Sequence, residues 1–266
     1  MNNSKIAYLG PEGTFTHQAA LLFFGNDNKF IPVSRIKDVF SAIYSGQANY
    51  GVVPAENSTG GVIADTMDLF INTRLKVYDE IKISITQNLL SNIDKSEIKR
   101  IYSHPQSFAQ CSGYLSSYFP DVELVETNSN TEAAIMAAKD KNGASIGPEM
   151  GAEMYSLQVL ENEINDNKDN TTRFFIVSNI CRNELRSKSV ILFSVPNKFG
   201  ALYYILKIFK DNTCNMTQIA SRPAKTKNWD YVFIVEFENL TNEKKNKKMI
   251  EKIKRNTDFF DYLGTY

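Results

Sequence analysis

Ile6-Ala7-Tyr8-Leu9-Gly10-Pro11-Glu12-Gly13-Thr14-Phe15-Thr16 reads as a buried strand that runs into a tight turn. The two glycines and the proline force the turn, and Ala19 to Phe24 continue as an apolar helix. A strand, a Gly-rich turn and a helix in succession aim backbone N–H groups at an anion. The turn is not G-x-G-x-x-G, and no Gly-Lys-Thr/Ser comes after it, so nothing points specifically to a nucleotide. Thr14 or Thr16 caps the helix.

The same α/β unit recurs downstream. Ser34 is expected to cap a second helix, whose stripe is Ile36, Val39, Phe40 and Ile43 and whose end is Gly46. Tyr50 to Pro54 is a strand that stops at Ala55-Glu56-Asn57-Ser58-Thr59-Gly60-Gly61, before a helix carrying Val62, Ile63, Met67, Leu69 and Phe70. Leu75 to Leu90 alternates apolar and polar residues and reads as strand. Arg100-Ile101-Tyr102 leads through Ser103-His104-Pro105-Gln106 into a helix over 107–118. Further strands lie at 122–125, 144–147 and 157–160, with a helix after Asn128-Ser129-Asn130-Thr131 and another opening at Pro148. Asn170-Thr171-Thr172-Arg173-Phe174 then opens the strand Phe174 to Val177.

Residues 1 to about 182 therefore form two βα-rich lobes. The chain is expected to cross into the second lobe at 75–90 and to return at 173–178. Open α/β sheets bind ligands beyond the carboxyl ends of their strands. The polar clusters at 10–16, 55–61, 103–106 and 170–174 all sit at such ends or at a strand's start, so one cleft between the lobes would gather them. A guanidinium can grip a carboxylate through two parallel N–H bonds, and a threonine hydroxyl can pass a proton over a short distance.

Composition narrows the partners. Lys+Arg and Asp+Glu each total 30, which gives no general attraction to nucleic acid or an acidic membrane. The cysteines, Cys111, Cys181 and Cys214, are scattered and odd in number, without a C-x-x-C, so neither a disulfide framework nor a zinc knuckle is indicated. His17 and His104 are the only histidines, and no His/Asp/Glu/Cys spacing suits a metal. His17 lies one turn into a helix and reads as structural; His104 lies in a strand-to-helix loop. No signal-peptide pattern opens the chain, and no apolar run reaches the ~20 residues of a membrane helix. A soluble, cytoplasmic protein is the default expectation.

The composition shifts at Asn183 to Lys188, a candidate linker. Beyond it come a strand over 189–195, a helix over 200–209, strands at 216–221 and 231–237, a helix over 243–255 with Met249, Ile250 and Ile253 inward, and a last strand at 259–263. This β-α-β-β-α-β order is ferredoxin-like. The lysines at 244, 245, 247, 248, 252 and 254 form a solvated face. An aromatic RNA-stacking signature on the strands is not evident.

These residues resemble a known family along nearly the whole chain. Gly10-Pro11-Glu12-Gly13-Thr14-Phe15-Thr16, Val53-Pro54-Ala55-Glu56-Asn57-Ser58, Ser103-His104-Pro105-Gln106 and Asn170-Thr171-Thr172-Arg173-Phe174 are similar to the motifs of a monofunctional prephenate dehydratase. Residues 188–266 resemble an ACT regulatory domain through Gly200-Ala201-Leu202-Tyr203 and Asn215-Met216-Thr217-Gln218-Ile219-Ala220-Ser221-Arg222-Pro223. The resemblance implies a catalytic domain over 1–182, two-lobed like a type II periplasmic binding protein, followed by a βαββαβ ACT domain. It implies a hydro-lyase of phenylalanine biosynthesis that converts prephenate to phenylpyruvate, water and CO2 with no cofactor. It implies a homodimer or homotetramer, inhibited by L-phenylalanine at paired ACT domains. No chorismate mutase segment is expected before the first motif at Gly10.

By the resemblance, Thr172 is catalytic. Thr14, Glu56, Asn57, Ser58, His104, Gln106, Asn170, Arg173 and Phe174 bind substrate, with Arg173 fixing a carboxylate and Glu56 or His104 supplying the proton that Thr172 relays. Gly200, Ala201, Leu202, Asn215, Met216, Ser221, Arg222 and Pro223 hold the effector. Two positions depart from the family pattern: Ala220 stands where an acid is usual, and Tyr203 where a valine is usual. Arogenate as substrate, and a non-catalytic anion or amino-acid sensor, are the alternative readings.

Overall fold

The apolar runs pair into three sheets, one in each lobe and one in the C-terminal domain. The computed structural model describes residues 3–182, 184–224 and 231–266. The first sheet takes β1 (Lys5–Leu9), β2 (Lys29–Val33), β3 (Tyr50–Asn57), β4 (Gly61–Val62) and β5 (Lys76–Ser84), with helices α1 (Phe15–Phe24), α2 (Ile36–Tyr44) and α3 (Ala64–Ile71) between them. The second takes β6 (Asn88–Ser91), β7 (Arg100–Ser103), β8 (Glu123–Glu126), β9 (Gly143–Gly147) and β10 (Gln158–Glu161), with α4 (Pro105–Gln110), α5 (Ser112–Tyr118), α6 (Asn130–Lys139) and α7 (Glu149–Tyr155). The chain then returns to the first sheet as β11 (Thr171–Ser178), inserted antiparallel between β3 and β5. The strand orders are β2-β1-β3-β11-β5 and β10-β6-β9-β7-β8.

The outward crossing is narrower than expected, and the return lies elsewhere in the chain. β5 ends at Ser84 and β6 begins at Asn88, so the outward crossing is residues 85–87. β11 is fully paired from Thr171 onward, so the return lies before it, in 162–170, and not at 173–178. The two crossings are tied side by side: Ile85 N–H donates to Asn170 O at 2.8 Å, and Ile164 N–H to Gln87 O at 2.8 Å.

Three local readings change. β2 is a strand with no counterpart in the sequence reading, and Pro32 suits it because β2 is the sheet edge, where a missing N–H costs nothing. Ser34 does not cap α2; Arg35 occupies that position and makes no side-chain cap bond. The helix expected over 107–118 breaks at Cys111 into α4 and α5.

The C-terminal domain comprises β12 (Lys188–Ser194), α8 (Ala201–Asp211), β13 (Met216–Pro223), β14 (Tyr231–Glu238), α9 (Glu243–Lys254) and β15 (Phe259–Thr265). The sheet order is β13-β14-β12-β15, all antiparallel, as the β-α-β-β-α-β reading requires. The candidate linker begins at Asn183, which lies outside the described residues.

This domain does not hang free. One face of its sheet packs α8 and α9 through Ile191, Phe193, Val235, Phe237, Ile205, Phe209, Met249 and Ile253. The other face, with Val190, Leu192, Val232, Ile234, Leu263 and Tyr266, joins a single apolar cluster with Phe175 and Val177 of β11, Val39 and Phe40 of α2, and Met67 and Phe70 of α3. β15 lies so close to β5 that a Cβ on Gly264, whose φ is +149°, would stand 2.2 Å from Val77 O. Side chains alternate along a strand. Phe174 and Ile176 of β11 accordingly face the opposite way, onto the cluster around α1 with Tyr8, Ala19 and Ala20.

Candidate active site

The alternation of β11 decides which side chains meet. Thr172 and Phe174 face the inter-lobe cleft, while Arg173 faces the C-terminal domain. Residues paired across β3 and β11 are Asn57 with Thr172 and Glu56 with Arg173, but Pro54 with Phe174. Ala55 is therefore the extra residue of a β-bulge. A bulge adds one residue and re-aims the side chains beyond it. It brings Asn57 onto the same face as Pro54, three residues back. Without it, period-two alternation would put Asn57 on the other face.

The cleft encloses about 320 Å³ between the lobes. The first lobe contributes Thr14, Phe15, Thr16, Pro54, Asn57, Thr172 and Phe174. The second contributes Gln87, His104, Gln106, Ser107, Gln110, Asn128, Ser129 and Asn130. The lobes also meet where Thr131 Oγ1 donates to Glu12 O at 2.7 Å.

Asn57 organises the floor. Its Oδ1 accepts from the backbone N–H groups of Thr59 at 3.0 Å and Gly60 at 2.9 Å. Those are obligate donors, so the amide orientation is determined. Nδ2 then donates to Asn170 Oδ1 at 2.8 Å and to Thr172 Oγ1 at 2.9 Å. Thr172 Oγ1 is thus an acceptor toward Asn57, and its own proton is left for a partner in the cleft. Asn170 is buried and supports Asn57 from behind. Ser58 Oγ receives Thr171 N–H at 3.0 Å and braces the same turn.

Two helices end at the cleft with their N-termini. Thr14 caps α1, accepting His17 N–H at 3.3 Å, and Ser129 caps α6, accepting Glu132 N–H at 3.0 Å. Each helix runs ten residues. Helix N-termini present unpaired N–H groups and a partial positive charge. No lysine or arginine is among the described residues that line the cleft. A dianion there would be met by oriented N–H groups and neutral amides.

His104 caps α4, and its Nδ1 accepts Gln106 N–H at 3.2 Å. Its other nitrogen, Nε2, therefore carries the proton of the neutral ring. His17 is structural, as expected: Nδ1 accepts Gly13 N–H at 3.1 Å, the ring stacks on Tyr8 at 4.8 Å, and burial lowers its pKa.

Of the residues expected at the site, Thr14, Asn57, His104, Gln106, Thr172 and Phe174 line one cleft. Asn170 and Ser58 stand behind it. Glu56 and Arg173 do not share it. The expectation that Arg173 grips a substrate carboxylate meets a guanidinium already engaged: Nη1 and Nη2 contact Glu236 at 2.5 and 2.8 Å, Nη1 contacts Glu80 at 3.1 Å, and Nη2 contacts Glu56 at 2.9 Å. Burial opposes its charge, but the Glu236 hydrogen bonds outweigh this and raise its pKa above the ordinary value. Arg173, Glu56 and Glu236 border a separate cavity of about 380 Å³ with Lys82, Lys188 and Gln218.

Gln87, Ser107, Gln110 and Asn130 were not foreseen. Gln87 is buried and donates to Ser107 Oγ at 3.1 Å and Gln110 Oε1 at 3.0 Å, which leaves its own Oε1 without a partner. It sits in the outward crossing, where sequence alternation looked like plain strand.

The expected effector residues are spread over the C-terminal domain. Gly200 and Ala201 open α8 beside a cavity of about 550 Å³ that Tyr203, Tyr204, Arg255 and Asp258 also line. Leu202 packs against the domain core. Asn215 immediately precedes β13 and Met216 begins it; Ser221, Arg222 and Pro223 end it, and Arg222 pairs with Asp68 of α3 at 2.6 Å. No group of three His, Cys, Asp or Glu among the described residues is placed to hold a metal. No helix among them is long and apolar enough to cross a membrane.

Comparison with known proteins agrees with these motifs. The sequence model of the family described as Prephenate dehydratase matches residues 6–181. A bifunctional chorismate mutase/prephenate dehydratase of Aquifex aeolicus is 40% identical over 98% of this chain and 73% of the relative. A prephenate dehydratase of Methanocaldococcus jannaschii is 34% identical over 99% of this chain and 98% of the relative. The crystal structure of a prephenate dehydratase from Arthrobacter aurescens, in complex with L-Phe, superposes with a TM-score of 0.89 at 27% identity, over 98% of this chain and 90% of that one.

Proposed function

The chain belongs to the prephenate dehydratase family and is a hydro-lyase, and from that premise we propose how the cleft carries out the reaction. Prephenate is a dianion with a ring hydroxyl. Losing CO2 pushes an electron pair into the ring as the hydroxyl leaves, and aromatisation drives the step. The enzyme must hold two carboxylates, fix the ring and assist one departing oxygen.

The observation that carries the reading is the Asn57–Thr172 contact at 2.9 Å. With Oγ1 accepting from Asn57, Thr172 directs its O–H at the leaving hydroxyl. A threonine is a weak acid, so it relays a proton. His104, whose neutral ring offers Nε2–H in the same cleft, helps orient the leaving hydroxyl as a hydrogen-bond donor, and the proton that Thr172 relays is drawn from solvent water; Glu56 is committed to Arg173 on the other side of the sheet. The N-termini of α1 and α6 hold the carboxylates, and Phe174 walls the ring. Positioned acid catalysis of this kind contributes about 10²–10⁴-fold.

Thr172→Ala tests it, with folding followed by circular dichroism and phenylpyruvate by its absorbance in alkali. Turnover should fall about 10²-fold or more, with KM changed much less. Near-normal turnover overturns the assignment.

The C-terminal domain is proposed as an ACT-type module that binds L-phenylalanine between two copies of the chain. Its βαββαβ order, the motifs at Gly200 and Ser221, and the solved L-Phe complex of a relative support this. β13 is an edge strand with alternate residues exposed, including Ile219, and so offers a surface for pairing. Loss of inhibition by L-phenylalanine in Ser221→Ala, with basal turnover intact, is the expected result.

A further inference from the structure

The strand pair that carries Asn57 and Thr172 into the cleft has a second face. There, one residue along on each strand, Glu56 and Arg173 point at the C-terminal domain. Arg173 is 6% exposed and Glu236, on β14, is 1% exposed. Glu236 takes the guanidinium in both arms, Oε2 from Nη1 at 2.5 Å and Oε1 from Nη2 at 2.8 Å. Tyr266, just past β15, donates its hydroxyl to Glu236 Oε2 at 2.9 Å. Gln218 of β13 accepts from Arg173 Nη2 at 3.0 Å and donates to Glu56 at 3.3 Å. The C-terminal domain therefore holds both strands from behind, each at the residue next to one that shapes the cleft.

We propose that Glu236 is a positioning residue for the dehydration, supplied by the C-terminal domain, which sets the placement of the Thr172 hydroxyl by gripping Arg173. This role rests on Thr172 being the proton relay of the cleft. A bidentate arginine–carboxylate pair fixes direction as well as distance, and a catalytic group must sit within about 0.5 Å of its productive place. Arg173 adjoins Thr172 in the chain, so a shift of one moves the other. Breaking the pair also frees a buried cation. Glu80 and Glu56 would compete for it, and the neighbouring cavity of about 380 Å³ gives the side chain room to turn. Glu236 itself never touches the cleft and makes no contact with substrate.

The test uses the full chain. Glu236→Gln keeps the side-chain shape and removes the charge; kcat should fall about tenfold with KM for prephenate within about twofold. Two residues that act as one unit are non-additive. In a Thr172→Ala background, Glu236→Gln should therefore change the residual turnover less than about twofold. Tyr266→Phe, a milder loss, should lower kcat about threefold with KM unchanged, and it serves if Glu236→Gln does not fold. A folded Glu236→Gln enzyme with wild-type kcat overturns the proposal, as does a full further tenfold loss in the Thr172→Ala background or, where Glu236→Gln does not fold, a wild-type kcat in Tyr266→Phe. Near-normal turnover in Thr172→Ala alone overturns instead the reading of the cleft on which the proposal stands.

Discussion

Replacing Asn57 with Asp separates two jobs that one amide performs. The carboxylate keeps the acceptor role toward the N–H groups of Thr59 and Gly60, at 3.0 and 2.9 Å. It cannot donate to Asn170 Oδ1 at 2.8 Å or to Thr172 Oγ1 at 2.9 Å. Two hydrogen bonds at about 1 kcal/mol each are lost, and the buried Asn170 oxygen, left with only the long bond from Ser58 Oγ at 3.4 Å, adds about 1–2 kcal/mol. A charge-assisted bond to the turn returns about 1 kcal/mol. The net cost is about 2–3 kcal/mol, or a melting temperature lower by about 4–6 °C for a chain of this size. The kinetic effect is separate. Thr172 would turn its proton to the new carboxylate, and the leaving hydroxyl would lose its donor. One positioned donor is worth about 10²-fold, so kcat should fall by about that factor, equivalent to about 2.7 kcal/mol, with KM little changed. Phenylpyruvate release and thermal denaturation measure the two effects independently. An Asn57→Asp enzyme that melts lower but turns over within threefold of wild type would show that the amide serves the turn alone, and the hydrogen-bond logic of the cleft floor would be wrong.

Other expectations come from the same geometry. Arg173→Lys keeps the charge but loses the fork to Glu236; kcat should drop and the protein should lose about 2 kcal/mol of stability, while KM stays near wild type because the guanidinium is outside the cleft, and a large rise in KM alone would return Arg173 to the substrate. Gly264→Ala would press a methyl against Val77 O in a backbone conformation that suits glycine; about 3 kcal/mol of destabilisation is expected, seen as a lowered denaturation midpoint. Burial acts to raise the Glu80 pKa, but hydrogen bonds from Lys188 and Arg173 outweigh it and hold the carboxyl below its ordinary value of 4.5. A group depressed in the folded state contributes stability above its unfolded pKa and loses it as pH falls through the folded one. Melting temperature should thus decline as pH drops below 4.5, and Glu80→Gln should make that decline shallower.

The α/β alternation, the βαββαβ tail and most of the cleft were legible because each rests on local chemistry. Gly10-Pro11 and Gly13 mark a turn, and Ser103-His104-Pro105 and Asn170 to Phe174 mark strand ends, whatever the rest of the chain does. The features that were not legible depend on partners far away in sequence. Whether Arg173 faces a ligand or Glu236 is settled by a strand 63 residues later. The placement of Asn57 hangs on the unpaired Ala55, which no composition signal marks. Gln87 is recruited only because two crossings run side by side. β2 is the opposite case: Pro32 is a genuine breaker, overridden at an edge.

The apolar cluster shared by α2, α3, β11 and strands β12, β14 and β15 of the C-terminal domain has a consequence for how this chain tolerates change. A module that merely tethers can be exchanged or trimmed while its neighbour works on. Here Phe175 and Val177 would be laid open to water by any such cut, so the two halves are bound to drift together, each substitution in the one being judged by its fit to the other.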